Sequence, residues 1–216
     1  MQTLLSSIFR NAIALGLFAL VTAGVVIITA QATGEKIDHN VRLAKAKALN
    51  EIVPVGSYDN DILASTLSLA SFNTELLGPI KAQDQALVVG RNKEVDTVLL
   101  PVVAPDGYTQ EIRLLVGIHK DGRIAGVRIT EHRETPGLGD KVDIKKSNWV
   151  QGFVGKSLAS PTAEKWKVQK DGGEFDQFTG ATITPRAVVL AVSRALVFFE
   201  QNRAQLLDAR ALKEAR

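Results

Sequence analysis

The chain contains no cysteine, which removes disulfide frameworks, thiolate metal sites, iron–sulfur ligation and cysteine nucleophiles together. Only His39, His119 and His132 offer imidazole, and no two of them stand at metal-binding spacing on one helix. A protein-ligated metal is therefore not expected. Aromatic residues make up 6%, and 26 Lys and Arg against 23 Asp and Glu leave a formal charge of +3 with both signs interspersed. Nucleic-acid binding, which concentrates basic residues on one face and uses aromatics to stack bases, is not expected either. There is no Walker A sequence, no nucleophile elbow and no convincing Ser, His, Asp constellation. Gly137-Leu138-Gly139 lacks the third glycine of a dinucleotide fingerprint. No catalytic residue is assigned. What remains is a chain of 216 residues, 45% apolar and 23% charged, long enough for one domain with an appendage and too apolar for wholesale disorder.

One hydrophobic run stands out. No charge occurs between Arg10 and Glu35, and residues 12–30 are long and apolar enough to cross a bilayer as a helix. Ala30-Gln31-Ala32 has the small residues of a signal cleavage site, but the run exceeds the roughly 7–15 residues of a signal core, which favours an uncleaved anchor. Lys36, Arg42, Lys45 and Lys47 follow the span and Arg10 precedes it. The positive-inside rule taken alone would keep the domain in the cytoplasm, but it governs short loops and has little hold on a domain of this length.

Beyond the anchor, Val41, Ala44 and Ala48 recur at helical spacing and predict a stalk or lid helix over residues 35–52, punctuated by Pro54 and Gly56. Residues 57–81 give no clear pattern. Two strands are expected at 86–89 and 95–103, followed by a turn at Pro105-Asp106-Gly107. Residues 111–119 and 123–130, β-branched on both sides of Lys120-Asp121-Gly122, predict a hairpin. The stretch holding Trp149, Phe153 and Trp166 mixes a short helix with loops or strands, and both tryptophans are expected in the core. Val188, Val192, Leu196 and Phe199 predict the buried stripe of a long helix over 185–212. The expected fold is α+β: a single N-terminal transmembrane helix, then a domain with a twisted, mostly antiparallel sheet packed by helices. Its divisions are 1–34 for the short N-terminus and anchor, 35–85 for the stalk or lid region, and 86–216 for the domain.

Two segments carry chemistry. Thr184-Pro185 reads as an N-cap hydroxyl followed by proline in the first helical turn, which pins a helix N-terminus. Free N–H groups there favour an anion, and Gly180 and Ala181 allow backbone to approach a bulky ligand. Thr182, two residues before that cap, would hold its hydroxyl where a phosphate is best stabilised, with Arg186 as a counter-ion. On composition alone the plainer reading is a polar turn ahead of a helix. The second segment is His132-Arg133-Glu134-Thr135-Pro136-Gly137-Leu138-Gly139, where proline fixes one angle and the two glycines permit positive φ, predicting a tight loop. His132 is read as a loop or packing residue.

Thr179-Gly180-Ala181-Thr182 resembles the flavinylation motif of the FMN-binding domain family, Ser or Thr followed by Gly-Ala-Thr, with Thr179 in place of the commoner serine. The Glu134 to Gly139 segment is similar to that family's Glu-Thr-Pro-Gly-Leu-Gly. With the anchor, the resemblance extends over nearly the whole chain, to the G subunits of the Rnf electron transport complex, called Rsx in some bacteria. The C subunits of the sodium-pumping NADH:quinone oxidoreductase share both segments but usually have a longer chain. The resemblance implies FMN held by a phosphoester at Thr182, with Thr179, Gly180, Ala181, Thr184, Glu134, Thr135, Gly137, Leu138 and Gly139 around it. It further implies a redox subunit, not a complete enzyme, of an ion-translocating ferredoxin:NAD oxidoreductase, or in the Rsx version of a system that keeps a redox-sensing regulator reduced. The implied partners are the lipid bilayer, the other membrane subunits, and a flavin transferase using FAD and magnesium. The implied location is the bacterial inner membrane, single-pass, with the soluble domain in the periplasm. A reading from another class is a bitopic binding or assembly module without cofactor.

Overall fold

The computed structural model describes residues 2–54 and 56–212, with the side chains of 2–7, 30–32 and 34–48 outside the described ones, and with them the stripe Val41, Ala44, Ala48. Contacts divide the chain into two compact units, Met1–Lys47 and Ala48–Arg216.

The first unit is a helix. α1 spans Gln2–Asn50, and its Ile8–Thr29 portion of 22 residues is long and apolar enough to cross a membrane. At 1.5 Å per residue that portion measures about 33 Å, close to the thickness of a hydrocarbon core. None of it is buried against protein, so Phe18, Leu20 and Ile28 face outward. A helix apolar on all sides and uncovered by protein suits lipid. Its hydroxyls fit that medium too: Thr22 donates to the Phe18 carbonyl (2.9 Å) and Thr29 to the Val25 carbonyl (2.7 Å), leaving no unpaired O–H.

The second unit is a five-stranded antiparallel meander, β1 (Thr66–Ser68), β2 (Gln85–Arg91), β3 (Glu94–Ala104), β4 (Ile112–His119) and β5 (Ile124–Glu131), in sequential order. Each strand turns back on its predecessor, which is how an antiparallel sheet forms without long crossovers. The β2–β3 turn places Asn92 (φ 54°) and Lys93 (φ 65°) in the left-handed region that a two-residue hairpin demands. The β4–β5 turn uses Gly122 (φ 88°), whose N–H donates to the His119 carbonyl at 2.8 Å. Residues 48–84, expected in the stalk or lid region, supply β1 and pack on both sheet faces, Leu49 to Ile62 on one and Leu69 and Leu77 on the other.

α2, Ile183–Leu206, lies on the opposite face. Its stripe Val188, Val192, Leu196 and Phe199 is buried against Val98, Leu100, Val102, Leu114, Val116 and Ile118, alternate residues of β3 and β4 pointing to one side. The helix is six residues shorter at its end than the periodicity predicts, stopping at Leu206 instead of 212. Asp208 accepts from the Arg210 amide (2.9 Å) and starts a separate turn over Ala209–Ala211. That turn directs Leu212 onto Gly90, where a Cβ would meet it at 2.8 Å. Continued helix would carry Leu212 away from the sheet.

Across the sheet a smaller cluster joins Leu49, Ile52, Val53 and Ile62 to Val89 and Leu99. Ile52 enters a slot made by paired Gly117 and Gly126, where an added Cβ would lie 2.5 and 3.2 Å from its side chain. Buried Arg128 locks the same segment, donating to the Glu51 carboxylate (3.0 Å) and carbonyl (2.8 Å). The segment holding the two tryptophans forms short 3-10 turns, among them Trp149–Phe153 and Ala163–Lys165, around stacked Phe153, Phe175 and Trp166. Trp166 is buried and Trp149 is half-buried against Phe153 and Phe178.

Candidate functional site

Antiparallel pairing puts the end of β3, the start of β4 and the end of β5 at one edge, as the partners Ala104 with Ile112 and Arg113 with Glu131 show. The loop after β3, the loop after β5 and the N-terminus of α2 converge there on a cavity of about 270 Å³. It is lined by Tyr108, Glu134, Thr135, Leu138, Gly139, Gly180, Ala181, Thr182, Ile183 and Thr184. The two segments singled out in the sequence, some 40 residues apart, therefore face each other. Thr179 and Gly137 are exposed and lie outside the lining, whereas Tyr108 and Ile183 are lining residues that the sequence motifs do not mark.

Glu134 is the hub. Only 4% exposed, it accepts the Thr109 amide (3.0 Å), the Tyr108 amide (3.3 Å) and the Thr184 hydroxyl, tying all three converging segments together. Its own amide donates to His132 Nδ1 at 3.2 Å, which gives His132 a structural role in the loop. Thr184 departs from the sequence expectation. Its hydroxyl does not cap α2 but points inward to Glu134, because the helix begins one residue before it, at Ile183. The cap position belongs to Thr182, whose carbonyl accepts the first helical bond from the Arg186 amide (3.2 Å) and whose side chain makes no capping bond. The amides of Ile183 and Thr184 precede the helical ladder and Pro185 brings none, so two N–H groups and the helix dipole are available beside the Thr182 hydroxyl.

The glycines divide their roles. Gly137 (φ 79°) and Gly180 (φ 80°) turn their loops in the left-handed region. Gly139 does not adopt positive φ, contrary to the sequence expectation; it is required by space, since a Cβ there would sit 2.8 Å from Thr184 Oγ1 and 2.9 Å from Glu134 Oε2. Asp140, buried, closes the same loop by accepting the Gly137 amide at 2.8 Å. On the other side, the Trp149 indole N–H donates to the Asp176 carbonyl (2.8 Å) and Phe178 is buried, so the strip leading to Thr182 is folded onto the domain. Neither tryptophan lines the cavity.

Arg186 is also placed differently from expectation. It forms a two-point fork with Asp171 (2.7 and 2.9 Å) on the surface and does not line the cavity. Hydrogen bonding to the guanidinium holds the Asp171 carboxyl below the ordinary carboxylate range. The cavity therefore offers an anion the helix N-terminus, not a cation. The carboxylate of Glu134 also lines the cavity, with both oxygens bonded to the Tyr108 and Thr109 amides and the Thr184 hydroxyl. A hydroxyl at a helix N-terminus, small residues behind it and an apolar rim of Tyr108, Leu138 and Ile183 fit a phosphate joined to a flat ring.

The chain matches known proteins over most of its length. Residues 107–197 match the FMN-binding domain family, and residues 1–52 match the RnfG N-terminal region. The G subunit of the ion-translocating oxidoreductase complex of Pseudomonas aeruginosa is 50% identical over 201 residues, covering 93% of this chain and 92% of that protein. The corresponding G subunit of Vibrio cholerae is 43% identical over 203 residues, covering 94% and 95%. Among solved structures, Shewanella oneidensis NqrC aligns with a TM-score of 0.48 at 24% identity, over 62% of this chain and 67% of that one.

Proposed function

The chain belongs to the family of ion-translocating oxidoreductase complex G subunits, and from that membership we propose that it carries FMN covalently, as a phosphoester of Thr182, and relays electrons within a membrane complex. The observation that supports this most is that Thr182 caps α2 and lines the same cavity as the 134–139 loop. Bound FMN supplies one- and two-electron chemistry; the protein supplies position and surroundings. Thr182 holds the phosphate, and the Ile183 and Thr184 amides with the α2 dipole stabilise its remaining charge. Glu134 keeps Thr184, and with it the first turn of α2, in place against the loop after β3.

Esterification transfers FMN from FAD to Thr182 Oγ1, breaking the pyrophosphate bond so that AMP leaves. The hydroxyl proton needs a base, and Glu134 already accepts three hydrogen bonds. A separate flavin transferase with magnesium supplies that base. In this reading the anchor tethers the domain to the bacterial inner membrane and the domain lies in the periplasm, where a covalent bond prevents loss of a cofactor that no local pool would replace. Tethering keeps the flavin at high effective concentration near its partner subunits.

Two tests separate the parts. Protein made with its transferase should run on a denaturing gel as a fluorescent yellow band that Thr182→Ala lacks; a colourless wild-type band, or a fluorescent variant, refutes the bond. Protease added outside spheroplasts should remove the domain, and full protection there refutes the periplasmic side.

A further inference from the structure

Five large apolar side chains of the second unit stand exposed among the described residues: Tyr108, Leu138, Val154, Ile183 and Leu190. Three of them rim the cavity. Leu190, 41% exposed, lies two helical turns from Ile183, about 10.5 Å along the same face of α2. Half-buried Val197 continues the line at the next seven-residue step. Apolar residues at seven-residue steps form a stripe along one helix face, and this stripe runs directly from the cavity mouth.

The charges bordering the stripe are Arg186, Arg194 and Glu200, the last paired with Arg203. Asp171 neutralises the first. Arg194 is exposed and makes no hydrogen bond or ion pair among the described residues, so it is the cation left for a partner. We propose that Ile183, Leu190 and Val197 with Arg194 form the surface through which the domain docks on another subunit of its complex, one presenting an apolar strip with a carboxylate opposite Arg194. This rests on the electron-relay reading above and adds where the relay makes contact: Ile183 belongs to both cavity rim and stripe, so a partner seated there covers the cavity mouth and excludes water from it.

Two other occupants fit less well. An anionic bilayer attracts clusters of about four to eight Lys and Arg, and this face has one unpaired cation. A second copy packed through the same stripe about a two-fold axis sets Arg194 against Arg194, or in the antiparallel arrangement against an Arg186 whose carboxylate partner is already taken, so neither arrangement gives Arg194 a free carboxylate.

The absence of cysteine makes the test direct. Leu190→Cys gives the full chain a single thiol; the purified chain is labelled there with a photoactivatable maleimide, returned to complex lacking it, and its cross-links are mapped by mass spectrometry. The expected product joins position 190 to another subunit beside an acidic residue. A cross-link to a second copy, to lipid alone, or no stronger than one from Val154→Cys overturns the proposal. In parallel, Arg194→Glu should reduce electron flux through the complex on the order of tenfold while leaving the fluorescent flavin band unchanged. Reversing the partner's carboxylate should restore the flux, and unchanged flux in Arg194→Glu overturns the docking role. Repeating the cross-link in Thr182→Ala separates the two readings: a flavin retained there refutes the ester, whereas the position-190 product still stands or falls alone.

Discussion

Replacing Gly139 by alanine tests how tightly the cavity wall is built. The new Cβ would lie 2.8 Å from Thr184 Oγ1, 2.9 Å from Glu134 Oε2 and 3.0 Å from Glu134 Cβ. Neither neighbour can retreat freely: Glu134 is held by the Tyr108 and Thr109 amides, and Thr184 sits in the first turn of α2. Overpacking of this kind costs about 1–3 kcal/mol. Prising Thr184 from the carboxylate removes a hydrogen bond to a charged group, worth about 1.5–3 kcal/mol. Together these predict a loss of about 3 kcal/mol, which for a unit of this size lowers Tm by roughly 6–12 °C. Thermal and urea unfolding of the full chain in detergent, followed by the fluorescence of Trp149 and Trp166, measures it. The mechanism also demands non-additivity: in a Thr184→Ala background the Oγ1 clash is gone, so Gly139→Ala should cost about 1 kcal/mol less. A Tm within about a degree of wild type, or strictly additive costs, refutes the reasoning.

Arg186→Ala should leave flavin loading unchanged, because that guanidinium is committed to Asp171 outside the cavity; loss of the fluorescent band would return Arg186 to the site. The same variant should change the acid limb of the stability curve. Asp171 is held below its ordinary range by Arg186, so the pair's contribution is fully present above that range and lost as pH falls through the folded value. In Arg186→Ala that acid-side decrement should disappear from a pH series of urea midpoints. Ile52→Ala should empty the Gly117–Gly126 slot and destabilise the second unit by about 2–4 kcal/mol; a cost below about 1 kcal/mol would mean that the slot collapses around the gap. Thr182→Ser, which keeps the attacking hydroxyl, should still accept flavin, and its failure would show that the threonine methyl positions that oxygen.

Elements with strong local signals are legible in the chain. The uncharged run of the anchor, the Asp121-Gly122 turn and the four-residue stripe of α2 each state their structure within a short window, and all three occur where expected. The two site segments are legible as backbone-restricting loops, joined in the sequence by the family resemblance, and the structure brings them to one cavity. What escapes reading depends on distant contacts. β1 has three residues and exists only because β2 pairs with it. Asn92-Lys93 turns without a glycine because the strands on both sides hold it. Tyr108 and Ile183 reach the cavity through register and helix start, which no local motif marks. Arg186, expected at the anion, is captured by Asp171, fifteen residues earlier, through a loop whose path the sequence does not reveal. Gly139 belongs to the site for a reason its motif does not state, since its need for space arises from Glu134 and Thr184, five residues before and 45 after it.

The most direct measurement is peptide mapping by mass spectrometry of protein produced together with a flavin transferase. The expected result is a single peptide spanning the strip before α2, carrying the mass of FMN less water, with fragmentation placing it on Thr182. An unmodified Thr182 in fully matured protein, or the flavin on any other residue, would contradict the ester and with it the relay assigned to this site.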